Sequence, residues 1–148
     1  MRERDERWPW LFPVTYALHI AEEYAADFPA WLAAVAGARL TEQGFLVINA
    51  IAFAVMIAGV TAAVVSRVRW PLVALATVVT INAMLHVCGT LLTASYSPGL
   101  VSATVLWLPL GIYALRTLRI EVSTAQYASG AAAGIAAHAL VSMLALLG

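Results

Sequence analysis

The stretch EQGFLVINAIAFAVMIAGVTAAVVS, Glu42 to Ser66, contains one charged residue, and that residue stands at its first position. About 20 predominantly apolar residues are enough for a helix to cross the hydrocarbon core of a bilayer, so this segment reads as a membrane span. Working outward, Pro71–Ser95, Pro98–Leu115 and Thr124–Leu147 read the same way. Trp10–Ala26 is shorter and carries His19, Glu22 and Glu23 in its second half. Between it and Glu42 lies Phe28-Pro29-Ala30-Trp31 followed by Leu32 to Leu40, too short to cross and too apolar for an ordinary loop. That piece is expected to lie along the interface with Trp31 as its anchor. The expected fold is therefore an all-α polytopic membrane bundle within a single transmembrane domain, residues 1–148. It has five transmembrane helices, at about 10–26, 42–66, 71–95, 98–115 and 124–147, and a short interfacial helix after the first.

Composition agrees. Of 148 residues, 63% are hydrophobic and 11% charged, with a mean hydropathy of +0.88. Soluble domains are usually about 45–50% apolar and roughly 25% charged. Charge is too sparse for a disordered chain, and one cysteine forms no internal bridge. A formal net charge of zero offers no field for holding nucleic-acid phosphates. A cleavable leader is the rival reading of the first span. It is not expected, because the apolar stretch ends in two glutamates rather than a small-residue cleavage site.

All eight basic residues are arginines. Arg2, Arg4 and Arg7 precede the first span, Arg67 and Arg69 follow the second, and Arg116 and Arg119 follow the fourth. With five spans these fall on one side and only Arg39 on the other, so the N-terminus is expected in the cytoplasm and the C-terminus outside. In the last span, Ser129 to Gly134 carries a small-xxx-small pattern that lets helix backbones approach closely. Tyr96-Ser97-Pro98-Gly99 reads as a short hairpin, with Pro98 suited to a first helical turn and Gly99 to a tight turn.

Ionisable side chains in hydrocarbon cost about 2.5–3.5 kcal/mol on insertion scales, so they usually face inward and have partners. The candidates are His19, Glu22, Glu23, Asn49, Asn82, His86 and His138. At 1.5 Å per residue, His86 lies about 22 Å, His138 about 21 Å and His19 about 15 Å from the inner ends of their helices. All three histidines then fall in the outer half of the bilayer, on separate helices. His19 shares a helix face with Glu22 and with Glu23, three and four residues on, and Asn82 shares one with His86. The plain alternatives are hydrogen-bonded packing for each histidine and a water-wetted helix end for the glutamates. Cys88 reads as a small apolar filler. Glu42 and Gln43 open the second span, where a solvated or capping role is expected.

His19-Ile20-Ala21-Glu22-Glu23 resembles the signature of the HXXEE family of small bacterial integral membrane proteins. The stretch Asn82, His86 and Tyr96-Ser97-Pro98-Gly99 is similar to that family's second characteristic region. The resemblance implies a bacterial membrane protein organised around these residues, and implies no particular reaction; His138 lies outside both motifs.

The leading expectation is a metal-dependent integral membrane enzyme of the bacterial inner membrane. It would act on an apolar lipid or isoprenoid substrate, with hydrolysis as the default chemistry. His19, Glu22, His86 and His138 are the expected ligands of a divalent metal, zinc first and iron or manganese next. Glu23 is then the general base for a metal-activated water, and Asn82 and Tyr96 orient the substrate. One alternative is a cofactor-free isomerase or cyclase using Glu22 and Glu23 as acid and base. Another is a small transporter or proton-coupled carrier, for which five spans lack two matching halves unless a homo-oligomer supplies the symmetry. Membrane lipids are the expected partners, and nucleic acid is not.

Overall fold

The computed structural model describes residues 7–147, so Arg2 and Arg4 lie outside the described residues. A 3-10 turn, Trp8–Trp10, runs into α1 (Leu11–Ala25). There follow α2 (Phe28–Ala36), α3 (Glu42–Val65), α4 (Trp70–Thr93), α5 (Leu100–Glu121) and α6 (Thr124–Leu147). Every element among the described residues is helical. Prolines open several of them, where a missing N–H costs nothing: Pro9 in the 3-10 turn, Pro29 in α2 and Pro71 in α4.

Four helices, α3 to α6, are long and apolar enough to cross a membrane. The first expected span is a helix of 15 residues, about 22 Å long against a hydrocarbon core of about 30 Å. Four full-length apolar helices with one shorter helix packed on them thus stand where five spans were expected. The fourth expected span also runs on from Leu115 to Glu121 and takes Arg116 and Arg119 into its last turns. The segment after α1 is indeed a helix, α2, bracketed by two left-handed residues, Asp27 (φ 53°) and Gly37 (φ 66°). The Asp27 side chain caps it by accepting from the Ala30 N–H at 3.2 Å. At the start of α3 the cap is Thr41, which accepts from Gly44 N–H at 3.0 Å, rather than Glu42 or Gln43.

α1 runs antiparallel to α3. Tyr16 stacks on Phe53 with ring centres 5.9 Å apart and donates to Asn49 at 2.7 Å, and nearer the end of α1 Tyr24 donates to Glu42 at 2.6 Å. α6 runs parallel to α4, and here the small residues act as the pattern predicts. A β-carbon at Gly130 would stand 2.7 Å from the Trp70 carbonyl, and one at Gly134 would stand 2.5 Å from the Ala74 carbonyl. No larger residue permits that approach. Cys88 is exposed, not buried as a filler.

The apolar core, which includes Phe12, Val60, Leu72, Val73, Ala76 and Leu118, fills the half of the bundle where α4 begins and α5 ends. Arg69 is buried at that end, 4.0 Å from Glu121. In the opposite half, where α4 ends and α5 begins, buried polar side chains stand beside Ala83, Ala103 and Trp107 of that core.

Candidate metal centre

His19 and Glu23 are one turn apart on α1 and fully or almost fully buried. His86, buried on α4, meets them from across the bundle. Glu23 Oε1 lies 3.4 Å from His19 Nε2 and 3.3 Å from His86 Nε2. One donor atom from each of the three lies within 4.8 Å of both others. The two imidazole rings meet edge to face, centres 5.0 Å apart.

The far nitrogen of each ring is fixed by a serine: His19 Nδ1 sits 2.8 Å from Ser102 Oγ, and His86 Nδ1 sits 3.0 Å from Ser97 Oγ. Ser102 directs its single hydroxyl proton to the Gly99 carbonyl at 3.2 Å. A Ser102 hydroxyl turned to that carbonyl accepts from a His19 Nδ1–H, the tautomer that leaves the Nε2 lone pair facing Glu23. That Nε2 is buried without a hydrogen-bond partner. A dry gap of 3.4 Å thus separates that nitrogen from the carboxylate.

Backbone shape makes the gap possible. Gly99 has φ 94°, and a β-carbon there would lie 2.7 Å from His19 Cε1 and 2.9 Å from both His86 Cε1 and Glu23 Cγ. The hairpin therefore presses bare main chain against all three residues. On the other side Trp107 lies over the His19 ring at 3.8 Å. Trp107 ends a π-helical turn, Ala103–Trp107, whose extra residue re-aims the side chains on either side of it. Pro109 follows two residues later; its missing N–H and its ring disturb the ladder one turn back, at the π-turn.

Beside Glu23 and His86 opens a cavity of about 260 Å³, also lined by Asn49, Asn82, Ser97, His138 and Ser142 among apolar walls. Asn82 forms no hydrogen bond among the described residues. His138 Nε2 is 3.4 Å from Ser142 Oγ, and the ring lines the cavity without joining the three-residue cluster. Asn49 is engaged, accepting from Tyr16 and donating to the Phe45 carbonyl at 3.0 Å.

Glu22 points elsewhere. Its carboxylate accepts from the N–H groups of Val101 at 2.9 Å and Ser102 at 2.7 Å, and from the Tyr96 hydroxyl. It caps the start of α5 from another helix, and through Ser102 it steadies His19. Tyr96 reaches Glu22, not the cluster. Burial and that hydrogen bond push its phenol up to about 12.

The structure thus brings together His19, Glu23 and His86, with Asn82 and His138 on the adjoining cavity. It sets Glu22 and Tyr96 at the entrance of α5. Ser97, Ser102 and Trp107 were missed from the sequence. Ser97 lies within the Tyr96–Gly99 hairpin, and Pro109 was the available signal for the π-turn that places Ser102 and Trp107.

Fold and site define a helical membrane protein with a buried His–Glu–His cluster at one end of its bundle. The family model described as "Protein of unknown function with HXXEE motif" matches residues 10–114, and the chain belongs to that family. The match takes in every residue of the cluster and its two serines and ends before His138. No curated protein and no solved structure matches the chain.

Proposed function

We propose that this protein is a metal-dependent integral membrane enzyme in which His19 Nε2, Glu23 Oε1 and His86 Nε2 hold one divalent cation. The observation that carries the reading is the spacing. Metal–ligand bonds of about 2.0–2.2 Å set the edge of a tetrahedron at about 3.3–3.6 Å. The two separations from Glu23 Oε1, 3.4 and 3.3 Å, match that edge. They exceed the about 2.7–2.9 Å of a charge-assisted hydrogen bond. The buried, unpartnered His19 Nε2 is the lone pair such an ion would take.

Three protein ligands leave a fourth position, and Glu23 and His86 also line the cavity, so that position faces a place for substrate. A bound zinc supplies a Lewis acid and a water acidic enough to ionise near neutral pH. Serine hydroxyls behind both imidazoles hold them in the ligating orientation. Glu22, in this reading, is a cap and not a ligand. Hydrolysis of a lipid or isoprenoid ester or amide is the chemistry that best suits such a site. In this reading the end that carries Arg67, Arg69, Arg116 and Arg119 faces the cytoplasm of a bacterial cell, and the cluster lies in the outer half of the inner membrane.

Elemental analysis of protein purified without chelator tests the reading. About one zinc, iron or manganese ion per chain is expected. It is lost in His19→Ala and Glu23→Gln and kept in Glu22→Gln. A folded protein that takes up no transition metal, even when offered zinc, removes it. The remaining reading is then metal-free acid–base chemistry, favoured by one carboxylate oxygen standing equally near two imidazoles.

A further inference from the structure

The cavity beside the cluster has a composition of its own. Its walls come from α2, α3, α4 and α6, with Phe28, Trp31, Phe45, Leu85, Val141 and Leu146 among them. Its polar groups, apart from Glu23, are uncharged amides, hydroxyls and imidazoles. Among the described residues no arginine lines it.

We infer that the cavity is the seat of a single-chain lipid bearing an uncharged, oxygen-containing head: an alcohol, ester or amide. The inference rests on the enzyme reading above for its chemistry, and it adds the substrate class and the route of entry. Apart from the cation of that reading, whose charge Glu23 already shares, a phosphate head would find no cationic side chain in the cavity. A bare hydrocarbon would leave the Asn82 amide without a partner, as it now stands among the described residues. An alcohol or carbonyl oxygen satisfies it, and apolar walls with a few placed polar groups are the usual make-up of a small-molecule site.

The volume, about 260 Å³, lies just under the usual range of about 300–1,000 Å³. That is room for the head and near part of one chain and too little for a two-chain phospholipid. Leu85 and Leu146 both line the cavity and remain 51% and 47% exposed, so it is open at its side and not sealed. Both belong to helices apolar enough to cross the membrane. The opening therefore meets lipid tails, and the rest of the chain stays in the bilayer while its head reaches Glu23 and His86. α2 roofs the cavity: Trp31 packs over Gly89 and donates to Ser95 at 3.3 Å.

The test uses a long-chain alcohol carrying a photoreactive diazirine, added to the full chain in lipid nanodiscs. Labelled positions are mapped by peptide mass spectrometry, and metal content is read on the same samples. Saturable labelling at Leu85, Val141 or Leu146 is expected. Unlabelled alcohol should compete about tenfold or more better than the matching alkyl phosphate. Filling the cavity with Ala145→Trp should abolish the saturable labelling at unchanged metal content, and Val141→Phe serves as the second filling variant. Asn82→Leu should remove the advantage of the alcohol over the plain alkane. Labelling that never saturates, that is indifferent to both filling variants, or that the phosphate blocks equally well overturns the inference. Saturable labelling in protein without metal would instead leave the cavity's occupant standing and remove the metal enzyme.

Discussion

The sharpest single perturbation is one methyl group at Gly99. Two separable costs follow from Gly99→Ala. The backbone there has φ 94°, and placing a β-carbon in left-handed backbone costs about 1–2 kcal/mol. The methyl itself would then stand 2.7 Å from His19 Cε1. Ordinary contact begins at 3.4 Å, so the imidazole must retreat by about 0.7 Å, and His86 and Glu23 by about 0.5 Å each. Overpacking of that kind costs about 1–3 kcal/mol. Gly37 supplies the control: its φ is 66°, and nothing lies within 4 Å of an added β-carbon. Gly37→Ala carries the backbone cost alone. Unfolding in mild detergent, followed by circular dichroism, should therefore place Gly99→Ala about 1–3 kcal/mol below Gly37→Ala. Metal content measured in parallel should fall only in Gly99→Ala, since a metal site keeps its ligand distances to within about 0.2 Å. Equal stability losses in the two variants, with full metal content in both, would refute the packing of Gly99 against the cluster.

Ser102→Ala frees His19 Nδ1 without touching a ligand, so zinc affinity measured by competition with a chromophoric chelator should drop about 10–100-fold while the fold is kept. Glu22→Gln weakens the cap at the start of α5 and should lower stability by about 1–3 kcal/mol in denaturant unfolding, with metal stoichiometry unchanged. Tyr96 is held protonated to about 12, above its ordinary 10.0, by burial and by Glu22. A raised phenol stabilises the fold fully below pH 10, and the contribution is lost as pH rises through the folded value near 12. The phenolate absorbance of wild type minus Tyr96→Phe should therefore titrate near 12 and move back toward 10 when Glu22→Gln is introduced.

Sequence made the long helices legible because length and apolarity alone decide a span. The ends of α1 were read to within one residue, and its 15 residues leave it outside the four helices long and apolar enough to cross. Arg116 and Arg119 masked the true end of α5, since long cationic side chains can ride in a helix's last turns with their heads in water. At the site, spacing put His19 on one face with both glutamates, and no local rule says which of two neighbours about 100° apart meets a partner helix. That is settled by where α4 and the Gly99 hairpin dock, which brings His86 to Glu23 and backbone amides to Glu22. His138 shares the level of the others, yet depth along a helix says nothing of rotation about it, and the ring turns to Ser142.

Ser97 in the hairpin and Ser102 in the first turn of α5 lie five residues apart, and each sets the orientation of one imidazole. That short interval works as a gauge between two helices that come from distant parts of the chain. Inserting or deleting a single residue within it would detune both rings at once. Its count of residues is thus fixed more rigidly than its chemistry.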